Sequence, residues 1–158
     1  MGAYTGHTWF PFVLPDQPDV TDVSVGSDNS NWFIANGNLY QCDNPADLNP
    51  VQVSLPPGQS AFSVFAISAT ELWCTTLQGP AQYQLYQATR PAAGQPFTWT
   101  LVETPGDSAA LQLSVGTDGT MWLLDSSGQV WNQLGGVWQR LMVPTNMEDA
   151  FNAYGYRA

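Results

Sequence analysis

The stretch SVGSDNSNWFIANGNLYQ at residues 24–41 recurs at residues 114–132 as SVGTDGTMWLLDSSGQVWN, with one residue's difference in the second turn. Ser24, Val25, Gly26, Asp28 and Trp32 fall on Ser114, Val115, Gly116, Asp118 and Trp122. Gly37 falls on Gly128, and the aromatic Tyr40 on the aromatic Trp131. A repeat of this kind restricts the fold more than any composition does, because each copy is one supersecondary unit that must bury its apolar face against the next copy. A worn third copy lies between them, FSVFAISATELWCTTLQGPAQYQLYQATR, in which Trp73 takes the tryptophan position and Tyr83 and Tyr86 stand near the second aromatic.

Each copy runs on into another short apolar stretch that ends at proline: VQVSLPP, FTWTLVETP and VWQRLMVP. The chain opens on a fourth such stretch, TWFPFVLP, and closes on DAFNAYGYRA, which reads as the start of a further copy. Locally, DVSVG and LQLSVG alternate with a period of two residues, and SDN and TDG supply turn residues between strands. Every unit is thus four short strands, a to d, of about 40 residues, which is the size of a propeller blade. The one weak helical candidate is NMEDAFNAY, with Asn146 as its cap.

The phase of the repeat predicts an all-β fold, a β-propeller of four-stranded antiparallel blades in a single domain over residues 1–158. Blades are expected near 20–57, 60–104 and 110–144, with a fourth shared between residues 2–14 and 147–158. In such a ring both faces of a blade's middle strands are buried, so Trp32, Trp73 and Trp122 are all expected in the core.

Charge and chemistry then narrow the function. The chain has no lysine, only Arg90, Arg140 and Arg157 as strong bases, and 13 acidic residues, for a formal charge of -10. Nucleic acid is excluded as a partner, since neutralising phosphates needs clustered bases, and no stretch is long and apolar enough for membrane insertion. The start, MGAYTGHTWFPFVLP, has no basic region followed by an apolar core. No signal peptide is visible, which fits a cytoplasmic or non-classically secreted protein and leaves the compartment open. Cys42 and Cys74 are too few for a disulfide framework; they either pair across strands or stand as buried thiols.

His7 is the sole histidine, so neither a zinc set nor a histidine-based triad can be assembled. The stretch SVGTDGTMW lacks the Ser-x-Asp-x-Gly-x-Thr-Trp order of sialidase-type propellers. With no nucleophile, base and orienting group to name together, no enzyme activity, metal or cofactor is expected.

The sequence VSVGSD or LSVGTDGT, then Trp, a Gly turn, an aromatic and GGVWQRL resembles the tectonin β-propeller repeat of slime-mould, fungal and egg lectins. The likeness is close over 20–41 and 111–142, loose over 59–101 and partial at the two ends. It implies glycan binding without catalysis, on glycoproteins or cell surfaces. Tectonin-type lectins are similar in carrying about six repeats. With three here, the resemblance implies closure either within one chain or in a homo-oligomer with swapped terminal strands.

Candidate ligand residues are the turn groups Asp28, Asn36, Asp118 and Asp125 and the outer-strand tryptophans Trp9, Trp99 and Trp138, which offer hydrogen bonds beside stacking surfaces. Asp and Asn also serve turns for purely local reasons. A lectin is the leading expectation; a non-catalytic protein-interaction or assembly module is the alternative.

Overall fold

The computed structural model describes residues 19–42, 50–80, 82–105, 109–116 and 119–141. They form twelve strands and, among the described residues, no helix. The first blade comprises β1 (Val20–Val25), β2 (Asn31–Ala35), β3 (Asn38–Cys42) and β4 (Val51–Val53). The second comprises β5 (Gln59–Ala66), β6 (Glu71–Gln78), β7 (Gln82–Thr89) and β8 (Thr98–Val102). The third comprises β9 (Ala110–Val115), β10 (Met121–Asp125), β11 (Val130–Leu134) and β12 (Val137–Leu141). Each is a four-stranded antiparallel meander with strands in chain order, so the three expected blades are all present. The shared fourth blade and the NMEDAFNAY helix lie outside the described residues.

Turn chemistry accounts for the tight hairpins. The β2–β3 connection is Asn36–Gly37, with φ of 49° and 72°, and the β11–β12 connection is Gly135–Gly136, with φ of 60° and 82°. Two successive positive φ values make the two-residue turn whose twist matches that of the flanking strands, and Asn and Gly adopt it at least cost.

Register places the repeated residues on equivalent sites. Ser24 pairs with Trp32, Phe65 with Trp73 and Ser114 with Trp122. On β2, Trp32 and Ile34 point at the second blade and join Val64, Ala66, Leu72 and Cys74 in one core cluster. One step along, Trp73 points from β6 at the third blade and joins Leu113, Met121 and Leu123. Burying such a side chain contributes about 1.5–3 kcal/mol.

Polar groups sew the first gap. Asp22 Oδ2 accepts from Val64 N at 2.8 Å and Ser24 Oγ from Ala66 N at 2.9 Å, so side chains of β1 satisfy the inner edge of β5. Gly26 closes the same gap sterically: a Cβ there would lie 2.9 Å from the Ser68 Cα of the next blade. Gly26 is therefore required by close approach, both to its own turn and to the next blade, without any unusual φ.

Trp122 departs from expectation. Trp32 is 1 % exposed and Trp73 8 %, but Trp122 is 43 % exposed. All three occupy the same position on the same blade face, and only the first two have a described blade packed on that face. The repeat correctly fixed where Trp122 points; burial depends on what lies opposite. No disulfide joins Cys42 and Cys74, and both are buried. Burial pushes the Cys74 thiol up to about 12, with nearby Asp22 adding to the shift, so it packs as a small apolar group.

Candidate functional site

The outer strands β4 and β8 of the first two blades diverge around an open groove of about 840 Å³. Its floor is aromatic because two side chains at the start of β8 fold back over the blade gap. Phe97 and Trp99 lie 6.1 Å apart with planes at 49°. Phe97 meets Trp32 edge-on at 5.8 Å, and Trp99 meets Tyr86 edge-on at 6.2 Å. Both rings are half-buried, packed on the core below and open above.

Trp99 is fixed by a hydrogen bond from its indole Nε1 to Ser54 O of the preceding blade, 3.0 Å long. Trp138, at the matching place on β12, donates in the same way to Glu103 O at 3.2 Å. Ser54 and Glu103 each stand two residues before a proline that ends the outer strand. One device thus ties each outer strand to the blade before it.

Arg90 braces the groove wall. Its Nε donates to Ala69 O at 2.8 Å and its Nη1 to Gln95 O at 3.3 Å. Nη2 donates to Gln41 Oε1, and the guanidinium carbon sits 4.4 Å from the Phe97 ring centre. A cation over an aromatic face in a half-buried site is favourable, so this one side chain joins three segments and orients a buried amide. Opposite it, Gln52 Nε2 donates to Asn38 Oδ1 at 3.0 Å. The described lining has amides, carbonyls and this guanidinium, but no carboxylate, histidine or thiol.

The residues nominated from sequence are dispersed. Of the described ones, only Trp99 lines the groove. Asn36 sits at the exposed β2–β3 turn, where its carbonyl accepts from Asn38 Nδ2 at 3.3 Å. Asp28 Oδ1 accepts from Ser30 N and Oγ at 3.1 and 2.7 Å, and Oδ2 accepts from Ala69 N at 2.8 Å. The Ala69 and Ser30 hydrogen bonds hold its carboxyl below the usual range, against a smaller opposing effect of burial.

Asp125 is buried in the β10–β11 turn. Its Oδ1 accepts from Ser127 N at 2.9 Å, Ser127 Oγ at 2.7 Å and Gln129 N at 2.9 Å, and Oδ2 accepts from Trp131 Nε1 at 2.9 Å. Burial pushes this carboxyl up, yet the bonds from Ser127, Trp131 and Gln129 outweigh it and leave the pKa lowered. Both aspartates are thus engaged in holding turns. Trp9 and Asp118 lie outside the described residues.

Arg90, Gln41 and Phe97 were not singled out from sequence. The available signal was an isolated cation followed by PAAGQPF in an otherwise acidic chain. A second hollow of about 710 Å³ opens where the β1–β2, β5–β6 and β9–β10 connections converge, walled by Phe65, Ile67, Trp73 and the backbone at Gly26 and Gly116. Glu71 borders it, with its Oε1 bound by Gln87 Nε2 at 3.1 Å.

Stacked four-stranded meanders, joined face to face through Trp32 in the first gap and Trp73 in the second, define this protein as a β-propeller. Solved structures agree. A virginiamycin B lyase from Staphylococcus aureus is similar over 82% of this chain and 43% of its own, with 13% identity and a TM-score of 0.56. YCF48 from Cyanidioschyzon merolae is similar over 90% of this chain and 42% of its own, with 15% identity and a TM-score of 0.57. The chain therefore spans less than half the length of either. No protein-family model and no curated protein matches the sequence. At these identities the likeness establishes the propeller fold, and the finer resemblance to tectonin lectins has no support from it.

Proposed function

We propose that the protein is a non-catalytic carbohydrate-binding propeller, a lectin, whose principal site is the groove between the first and second blades. The observation that carries this reading is the Phe97–Trp99 floor set beside the exposed amides of Gln52 and Gln95 in one open groove. A pyranose ring presents an apolar C–H face and an equator of hydroxyls. An aromatic plane matches the first, while primary amides and backbone carbonyls, donors and acceptors side by side, match the second.

The expected ligands are glycans of glycoproteins or cell surfaces. Trp138 repeats the placement of Trp99 one blade further on, which supplies a second, related surface. Two weak sites on one rigid body gain avidity against a multivalent glycan.

The test is a glycan array followed by calorimetry on the best hit. Val51 is an exposed residue in the groove wall with no place in the core. Val51→Glu is expected to weaken binding by about 100-fold, a loss near 2.7 kcal/mol, by placing a hydrated carboxylate where the sugar ring must lie. Leu101→Glu, exposed on β8 but outside the groove, should bind as the parent does. Absence of any glycan ligand, or undiminished binding by Val51→Glu, overturns the reading.

A further inference from the structure

The turns that follow the first strand of each blade meet differently in the two blade gaps. Gly26 N donates to Ser30 O at 2.8 Å, and Ile67 N donates to Glu71 O at 3.0 Å. The same bond thus closes both turns, and Ile67 and Glu71 take the places of Gly26 and Ser30. In the first gap those places hold small residues and the turns lock together. Ser27 N and Oγ both donate to Ile67 O, at 2.8 and 2.9 Å, and Ala69 N donates to Asp28 Oδ2 at 2.8 Å. Ser30 is buried, with its hydroxyl donating to Asp28 Oδ1 and accepting from the Trp32 indole.

In the second gap the second blade presents a branched aliphatic side chain and a carboxylate instead. Among the described residues no hydrogen bond joins its turn to that of the third blade, and the hollow of about 710 Å³ opens there. Glu71 and Trp73 stand two residues apart on β6, so both side chains face this gap. Phe65, paired with Trp73 across β5 and β6, lines it together with Ile67, Val115 and Met121. Glu71 is the one charged side chain among the described lining residues, and it is half-buried. Gln87 Nε2 engages its Oε1 at 3.1 Å, and among the described residues no donor engages Oε2.

An open carboxylate oxygen beside an apolar wall suits one kind of ligand. The wall rewards burial of a hydrocarbon or aromatic body, and the carboxylate rewards a cationic donor with a charge-assisted hydrogen bond. The formal charge of -10 on the chain adds attraction for cations and repulsion of anions. We infer that this hollow is a second binding site, for a small organic amine, in which Glu71 holds the ammonium group while Phe65, Ile67 and Met121 cover the apolar body. It shares no lining residue with the glycan groove, and the inference is independent of that reading.

The experiment is calorimetry with three probes, tryptamine, tryptophol and indole-3-propionate. They share an indole and a two-carbon arm and differ in ending on an ammonium, a hydroxyl or a carboxylate. The parent is expected to bind tryptamine with a Kd of about 1 mM or tighter, at least about 10-fold tighter than tryptophol, with indole-3-propionate weakest. Glu71→Gln keeps an acceptor for Gln87 and removes the charge, so it should weaken tryptamine about 10-fold and leave tryptophol unchanged. Ile67→Lys sets an ammonium of the chain's own beside Glu71 and should abolish tryptamine binding. Circular dichroism identifies which variants are folded, and the three-probe comparison on the parent needs neither. Failure of the parent to bind tryptamine overturns the inference. So does equal binding of tryptophol or indole-3-propionate, and so does undiminished tryptamine binding by either variant once folded.

Discussion

Replacing Asp125 by asparagine removes one charge and exchanges one acceptor oxygen for an NH₂ group, with almost no change in shape. In the parent, Oδ1 serves three donors, from Ser127 and Gln129, and Oδ2 serves the Trp131 indole. The single amide oxygen of asparagine keeps the three turn donors best, so its NH₂ then faces the indole N–H. One charge-assisted hydrogen bond is lost outright, worth about 1.5–3 kcal/mol, and the other three weaken as their acceptor becomes neutral. The expected destabilisation is about 2–4 kcal/mol. Asp125→Ala, which leaves the Ser127 and Gln129 N–H groups without their acceptor, should cost more. The assay is urea denaturation followed by tryptophan fluorescence, read as a shift in midpoint at unchanged slope.

The pH dependence supplies an independent check on the same residue. The folded pKa of Asp125 is lowered, so its carboxylate contributes stability above the unfolded value near 3.9 and loses it as pH falls through the folded value. Parent and Asp125→Asn should therefore differ most near neutral pH and converge as pH falls below about 4. Asp28, also lowered, is present in both proteins and cancels in the difference. The reasoning is refuted if Asp125→Asn lies within about 0.5 kcal/mol of the parent at pH 7, or if the difference does not narrow in acid. Loss of glycan binding by a stably folded Asp125→Asn protein would restore this residue to the ligand site.

Two further outcomes follow from the blade gaps. Gly26→Ala places a Cβ 2.4 Å from Ser30 Oγ and 2.9 Å from the Ser68 Cα, displacing the hydroxyl that accepts from Trp32 Nε1; a loss of about 1–3 kcal/mol is expected in thermal or urea melts, and a neutral result removes the close-approach account of the repeated glycine. Trp32→Ala should cost about 3–5 kcal/mol and Trp122→Ala markedly less, although sequence alone ranks them equal; similar losses at both sites refute the 43 % exposure of Trp122.

What was legible in the sequence was whatever the repeat encodes inside one blade. Glycines at Gly37 and Gly136 sit where positive φ is needed, alternation set which side chains share a face, and the first strands of the blades begin at Val20, Gln59 and Ala110, within a residue of the expected starts. What was not legible depends on the neighbouring blade. Trp32 and Trp122 are the same residue in the same local sequence, and their burial differs because a described blade packs on the face of the first and none on that of the second.

The groove was hidden for a related reason. Trp99 could be nominated as an aromatic on an outer strand, but Arg90 and Phe97 come from a strand end and a connection that the other copies do not repeat, and Gln41, whose place Gln87 and Asn132 take in the other blades, is drawn in only by Arg90. Their contact is created by the packing of two blades, and a residue pattern read one copy at a time has no term for it. Asp28 and Asp125 show the converse: their places in the repeated turns drew them forward as ligands, while the donors that surround each carboxylate lie within six residues along the chain or, for Asp28, also in the adjacent blade. In a propeller, a residue repeated at every blade is thus most often required by the blade, and recognition chemistry is better sought where one inter-blade gap differs from the next. The Arg90 brace makes the first gap such a place.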